Sequence, residues 1–75
     1  MDIKIKVGLR IRELRKALGL TQESLAFKAD MDKTYLNEVE NGKRNVSLVN
    51  LQKIILALET TFALFFQEEI DSDRA

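Results

Sequence analysis

Lys33, Thr34, Asn37 and Glu38 fall on one side of a short helical stretch whose other side carries Leu36 and Val39. Lysine can donate to guanine, asparagine can pair with adenine, and glutamate can accept from cytosine N4 or discourage the wrong bases. Hydrogen bonding to base edges is therefore the chemistry open to this group. Any amphipathic surface helix also shows a polar face, and the spacing alone leaves both readings open. Other chemistries have little to work with. The chain has no cysteine and no histidine, which removes the thiolate zinc site, the thiol nucleophile, the commonest metal ligand and the usual general base. An enzyme would need a carboxylate pair, and Glu68-Glu69 or Asp71-Asp73 read as a solvated acidic end. No catalytic residue, cofactor or metal site is expected.

The elements that position this face come from a chain of 75 residues, one small domain spanning 1–75. A chain of this length buries roughly 60% of its unfolded surface. With 45% hydrophobic and 32% charged residues it has the composition of a folded protein. No apolar run is longer than five residues, far short of a membrane span. The opening Met1-Asp2-Ile3-Lys4-Ile5-Lys6 lacks the apolar block of a signal peptide. A small, soluble, cytoplasmic helical domain is the expectation. The net charge of zero hides a split. Residues 1–44 carry ten bases and seven acids, giving +3, and residues 45–75 carry two and five, giving −3. A basic face meeting an anion explains the split, as does chance in a short chain.

Ile3, Val7, Ile11, Leu14 and Leu18 form one helical stripe, with Arg10, Arg12, Glu13 and Lys16 on a solvated face. Gly8 inside it costs up to about 1 kcal/mol relative to alanine. Gly19 ends the helix in a left-handed cap. Thr21 caps a short second helix with Leu25, Ala26 and Ala29 inward. Asp32 caps a third, Lys33 to Glu40, which Asn41-Gly42 stops. Ser47 caps a fourth with Leu48, Leu51, Ile54, Ile55 and Leu58 inward. Thr61 caps a fifth, Phe62 to about Ile70, before a frayed 71–75. The fold class is all-α, five short helices. About eight residues, a tight turn and a second helix over Thr21 to Arg44 have helix-turn-helix proportions.

Gly19-Leu20-Thr21-Gln22-Glu23-Ser24-Leu25-Ala26, Tyr35 to Arg44 and Ile11-Arg12-Glu13-Leu14-Arg15 together resemble the Cro/lambda-repressor (Xre-type) DNA-binding family. The resemblance covers residues 7–66 and implies a compact lambda-repressor-like domain with the helix-turn-helix at helices 2 and 3. Asp32-Lys33-Thr34-Tyr35 and Arg44-Asn45-Val46-Ser47-Leu48 are similar to restriction–modification controller proteins, small dimers that regulate their own operon. Phage-type repressors and orphan regulators share much of the pattern. The resemblance implies that Lys33, Thr34, Asn37 and Glu38 face bases. It implies that Gln22 bonds phosphate, and that Asn41, Lys43 and Arg44 lie along the DNA backbone. A capping role for Gln22 and a solvated basic turn at Lys43-Arg44 are the plain alternatives. Tyr35 flanks the core with its ring while its hydroxyl can reach a phosphate. Arg15 and Glu40 match positions of a structural ion pair. Asp30 stands where the family usually has a glycine at positive φ, a conformation aspartate tolerates at some cost.

Phe65 and Phe66 are adjacent, so a short helix cannot bury both on one side. A dimer interface through Phe62, Phe65 and Phe66 and part of helix 4 follows as an expectation, against the alternative of a lone exposed aromatic. Two half-sites about 34 Å apart would give one dimer two successive major grooves. The expected partners are double-stranded DNA, a second copy of the chain and, as a further candidate, RNA polymerase, with no membrane. Zero net charge implies modest non-specific affinity. A different class of function remains, a protein-interaction module of antirepressor or antitoxin type on the same shell.

Overall fold

The computed structural model describes residues 2–67. Five helices follow one another, α1 (Ile3–Ala17), α2 (Gln22–Lys28), α3 (Lys33–Glu40), α4 (Leu48–Ala57) and α5 (Phe62–Phe65), with no strand among the described residues. Each start is fixed by a side chain that accepts from an orphan backbone N–H of the first turn. Asp2 accepts from Lys4, Asp32 from Thr34 and Tyr35, Ser47 from Asn50, and Thr61 from Leu64. At α2 the cap is reciprocal. Thr21 Oγ1 accepts from the Ser24 N–H at 3.0 Å, and Ser24 Oγ accepts from the Thr21 N–H at 2.9 Å. The Asp2 carboxyl is held below its ordinary pKa, first by the Lys4 backbone N–H it accepts from.

The stops share one device. After α1 to α4 the chain turns through a single left-handed residue, in order Gly19 (φ 72), Asp30 (φ 55), Gly42 (φ 73) and Glu59 (φ 61). In each case that residue and the next return their N–H groups to the last turn, for example Gly19 to Lys16 and Leu20 to Arg15. The expected left-handed geometry at Asp30 is present. That of Glu59 has no glycine or asparagine to announce it.

The apolar faces converge on one core, in which Ile11, Leu25, Leu36, Val39, Ile54, Ile55 and Phe65 are the largest fully buried side chains. Three expected inward residues are instead exposed. Ile3 and Leu18 overhang the two ends of α1, and Leu48 lies in the first turn of α4, before the core begins. Gly8 is buried where α1 crosses the end of α3. A Cβ there would lie 2.6 Å from the Val39 carbonyl oxygen and closer still to that of Glu40. The glycine permits that approach.

The face of α1 expected to be merely solvated is put to use. Arg10 donates from Nε to the Phe65 carbonyl and from Nη2 to the Leu64 carbonyl, both at 2.7 Å, while Nη1 meets Glu13 at 2.9 Å. It thereby satisfies two carbonyls at the end of α5. That helix stops at Phe65, not near Ile70. The expected remainder and the frayed tail, residues 68–75, lie outside the described residues. No helix among the described residues is long and apolar enough to cross a membrane.

Candidate nucleic-acid interface

Helices α2 and α3, joined by Ala29 to Asp32, pack against each other through Leu25, Ala26, Leu36 and Val39. This packing leaves the opposite side of α3 outward. Lys33 and Thr34 stand exposed in its first turn, with no side-chain partner among the described residues. Asn37 is exposed one turn on, and Glu38 is half-buried beside it. Lys43 is exposed just past the helix end, again without a partner among the described residues.

The remaining residues assemble into two clusters. In the first, Arg44 donates from Nη1 to Glu38 Oε1 at 2.9 Å, and its guanidinium carbon lies 4.9 Å from the centroid of the Tyr35 ring. Charge pairing and the ring face hold the guanidinium against α3. The Tyr35 hydroxyl accepts from Asn50 Nδ2 at 3.2 Å. Its ring packs against the core while its hydroxyl ties α3 to α4.

The second cluster centres on Glu40, which is 2% exposed. Arg15, itself 8% exposed, donates from Nε to Oε2 at 2.7 Å and from Nη2 to Oε1 at 3.0 Å. Its Nη1 meets the Leu20 carbonyl at 2.9 Å. The ion pair implied by resemblance is therefore present, two-pronged and more deeply buried than its place at the edge of the stripe implies. Pairing both oxygens is what makes a buried carboxylate tolerable. Gln22 Nε2 also donates to Glu40 Oε1, at 3.0 Å. Asn37 Nδ2 donates to Gln22 Oε1 at 3.1 Å, and Asn41 Nδ2 donates to the Asn37 carbonyl at 2.9 Å. Gln22, Asn37 and Asn41 are thus one hydrogen-bonded group, anchored on the buried pair.

Arg12 joins this group and is absent from the expected site residues. Its Nη2 donates to Asn41 Oδ1 at 3.2 Å, and its Nε lies 3.6 Å from Glu40 Oε1. The available signal was its position three residues before Arg15, on the same side of α1.

The three phenylalanines divide. Phe65 is 1% exposed and belongs to the core, which corrects its expected place at a dimer interface. Phe66 and Phe62 are each 42% exposed. Phe66 lies edge-on to Phe65 with ring centroids 4.9 Å apart. Leu64 on α5 and Val49 and Leu56 on α4 are further apolar surface. Among the described residues, no group of three or more acids could hold a metal ion.

Known proteins share this fold. The sequence pattern of the helix-turn-helix family matches residues 11–65. The control protein C.MunI of a Mycoplasma species is 50% identical over 68 residues, which cover 89% of this chain and 92% of that protein. The restriction-modification controller protein C.AhdI from Aeromonas hydrophila superposes with a TM-score of 0.81 at 49% identity, covering 84% of this chain and 96% of that one. The controller protein C.Esp1396I, as a tetramer in complex with its natural 35 base-pair operator, superposes with a TM-score of 0.86 at 32% identity, covering 100% of this chain and 99% of that one. The chain belongs to the Xre-type helix-turn-helix family and is similar, within it, to restriction–modification controller proteins.

Proposed function

We propose that this chain is a sequence-specific DNA-binding transcription regulator of the controller type, acting as a homodimer on a two-fold symmetric operator and governing its own operon. The observation that carries the reading is the outward side of α3. Lys33 and Thr34 point away from the core with no internal partner among the described residues, while Leu36 and Val39 behind them are buried. In this reading Lys33, Thr34, Asn37 and Glu38 meet base edges in the major groove. Tyr35, Lys43 and Arg44 grip the backbone and fix the register. Gln22 and Asn41, which the resemblance implies as backbone contacts, turn their NH2 groups to Glu40 and Asn37 and so position Asn37. The likeness to C.Esp1396I, whose tetramer is in complex with its operator, supports DNA as the partner.

The dimer runs through the exposed apolar side of α5 and α4, centred on Phe62, Leu64 and Phe66. Residues 1–75 act as one DNA-binding domain, with no catalytic step, and the protein works in the cytoplasm. RNA polymerase is a further partner of a regulator bound beside a promoter. Selection of bound sites from random DNA tests the reading. The expected product is an inverted repeat with half-sites about 34 Å apart. Failure to enrich any sequence would contradict it.

A further inference from the structure

We infer that Arg12 and Glu40 are positioning residues that set the hydrogen-bond polarity of the DNA-facing amides, and so govern sequence preference through Asn37. The inference rests on the base-reading role proposed above for Asn37.

An amide side chain has two ends of nearly equal shape, and its neighbours decide which end faces which way. Here the neighbours leave no choice. The Glu40 carboxylate, met by Arg15 on both oxygens, only accepts. Gln22 must therefore turn its NH2 inward to it, at 3.0 Å, and its oxygen outward. That oxygen calls for a donor, and Asn37 supplies Nδ2 at 3.1 Å. The same logic runs from the other side. Arg12 only donates, so Asn41 turns Oδ1 toward it, at 3.2 Å. The Asn41 NH2 is left facing Asn37, 2.9 Å from the main-chain carbonyl and 3.4 Å from Oδ1. Two chains of hydrogen bonds, one starting at an obligate acceptor and one at an obligate donor, reach Asn37 and dictate the same orientation. Reversing its amide would set oxygen against oxygen at Gln22 and NH2 against NH2 at Asn41. Arg12 Nε, 3.6 Å from Glu40 Oε1, closes the ring.

Asparagine reads adenine by donating to N7 while accepting from N6. Which of the two amide ends lies toward α2 therefore decides which base edge it can match. Glu40 is buried and cannot touch DNA. Arg12 acts on the base through Asn41 and Asn37, not by its own charge.

The test is a titration of the full chain with its selected site and with a scrambled duplex, each at two salt concentrations. The proteins are the wild type, Arg12→Met, Arg12→Lys and Asn37→Ala, with thermal melts recorded alongside. Because the Arg12 side chain is about two-fifths exposed, Arg12→Met removes the donor without opening the core. Arg12→Met is expected to lose about tenfold on the selected site and little on the scrambled one, with an unchanged salt slope. Arg12→Lys, still a donor, recovers most of the loss. Equal loss on both DNAs with a salt slope lower by about 1 would make Arg12 a phosphate contact and overturn the inference. No change at all would overturn it too. If Asn37→Ala narrows the gap between the two DNAs while Arg12→Met does not, the relay fails and the DNA-reading function stands. If the wild type does not distinguish the two duplexes, both fail.

Discussion

Gly8 and Glu40 touch backbone to backbone, the α-carbon of the glycine lying over the last carbonyls of α3. On helix propensity alone, Gly8→Ala should stabilise α1 by up to about 1 kcal/mol. The added methyl would instead meet the Val39 carbonyl oxygen at 2.6 Å and that of Glu40 more closely, and neither is a flexible side-chain end. Overpacking of this kind costs about 1–3 kcal/mol. A thermal melt of Gly8→Ala should therefore show a lower Tm than wild type. An equal or higher Tm would mean that α1 and α3 can separate at no cost.

Asp30 offers the opposite sign. It holds φ 55 at the end of α2, and its carboxylate makes no hydrogen bond or ion pair among the described residues. Asp30→Gly should relieve about 1 kcal/mol of left-handed strain, raising Tm by about 4–8 °C in a domain this small. Glu59→Gly should gain less, since it also gives up the 3.0 Å ion pair with Lys28. A melt in which Asp30→Gly is no better than wild type would mean that the aspartate contributes something the glycine lacks.

The division between Phe65 and Phe66 separates folding from the proposed dimer assembly. Phe66→Glu places a charge on an exposed ring position and should yield folded monomer in equilibrium sedimentation. Phe65→Glu buries a charge in the core and should fail to fold. A Phe66→Glu protein that stays dimeric would remove the end of α5 from the interface.

Glu38 holds Arg44 in an ion pair whose side chains are 37% and 52% exposed, and such a pair contributes about 0–1 kcal/mol to stability. Glu38→Gln should leave the fold intact while freeing the guanidinium and removing a negative charge from the side of α3 proposed to meet DNA. Scrambled DNA should then bind more tightly and the preferred site should gain less, so the gap narrows. Gel-shift titrations on both duplexes read this, and unchanged affinity for scrambled DNA would count against a discriminating role for Glu38.

Much of this was legible in the residues because local rules and tertiary packing agree. The caps at Thr21, Asp32, Ser47 and Thr61 follow from short polar side chains placed before apolar stripes, and the structure places helix starts at each. The buried Arg15–Glu40 pair and the positive φ of Asp30 came through resemblance, since nothing local marks either. What was missed depends on partners distant in the chain. Arg10 caps carbonyls 54 and 55 residues away, and Arg12 meets Asn41 across 29 residues, so both read as solvated charges. Gly8 read as a weakness in α1 because the crossing by α3 is invisible in the sequence. Leu48 and Ile3 kept the period of their stripes but lie where the helix has run past the core.

The most direct test of the DNA-reading account is the salt dependence of binding to the selected site and to a scrambled duplex, for wild type and Lys43→Ala. With about four to six phosphate contacts per dimer from Lys and Arg, the slope of log K against log[salt] should be about −3.5 to −5.5. Lys43→Ala should weaken both duplexes nearly equally and lower that slope by about 1 per altered contact. The preferred site should remain far tighter than the scrambled one in both proteins. A slope near zero, with the two duplexes bound alike, would contradict the account.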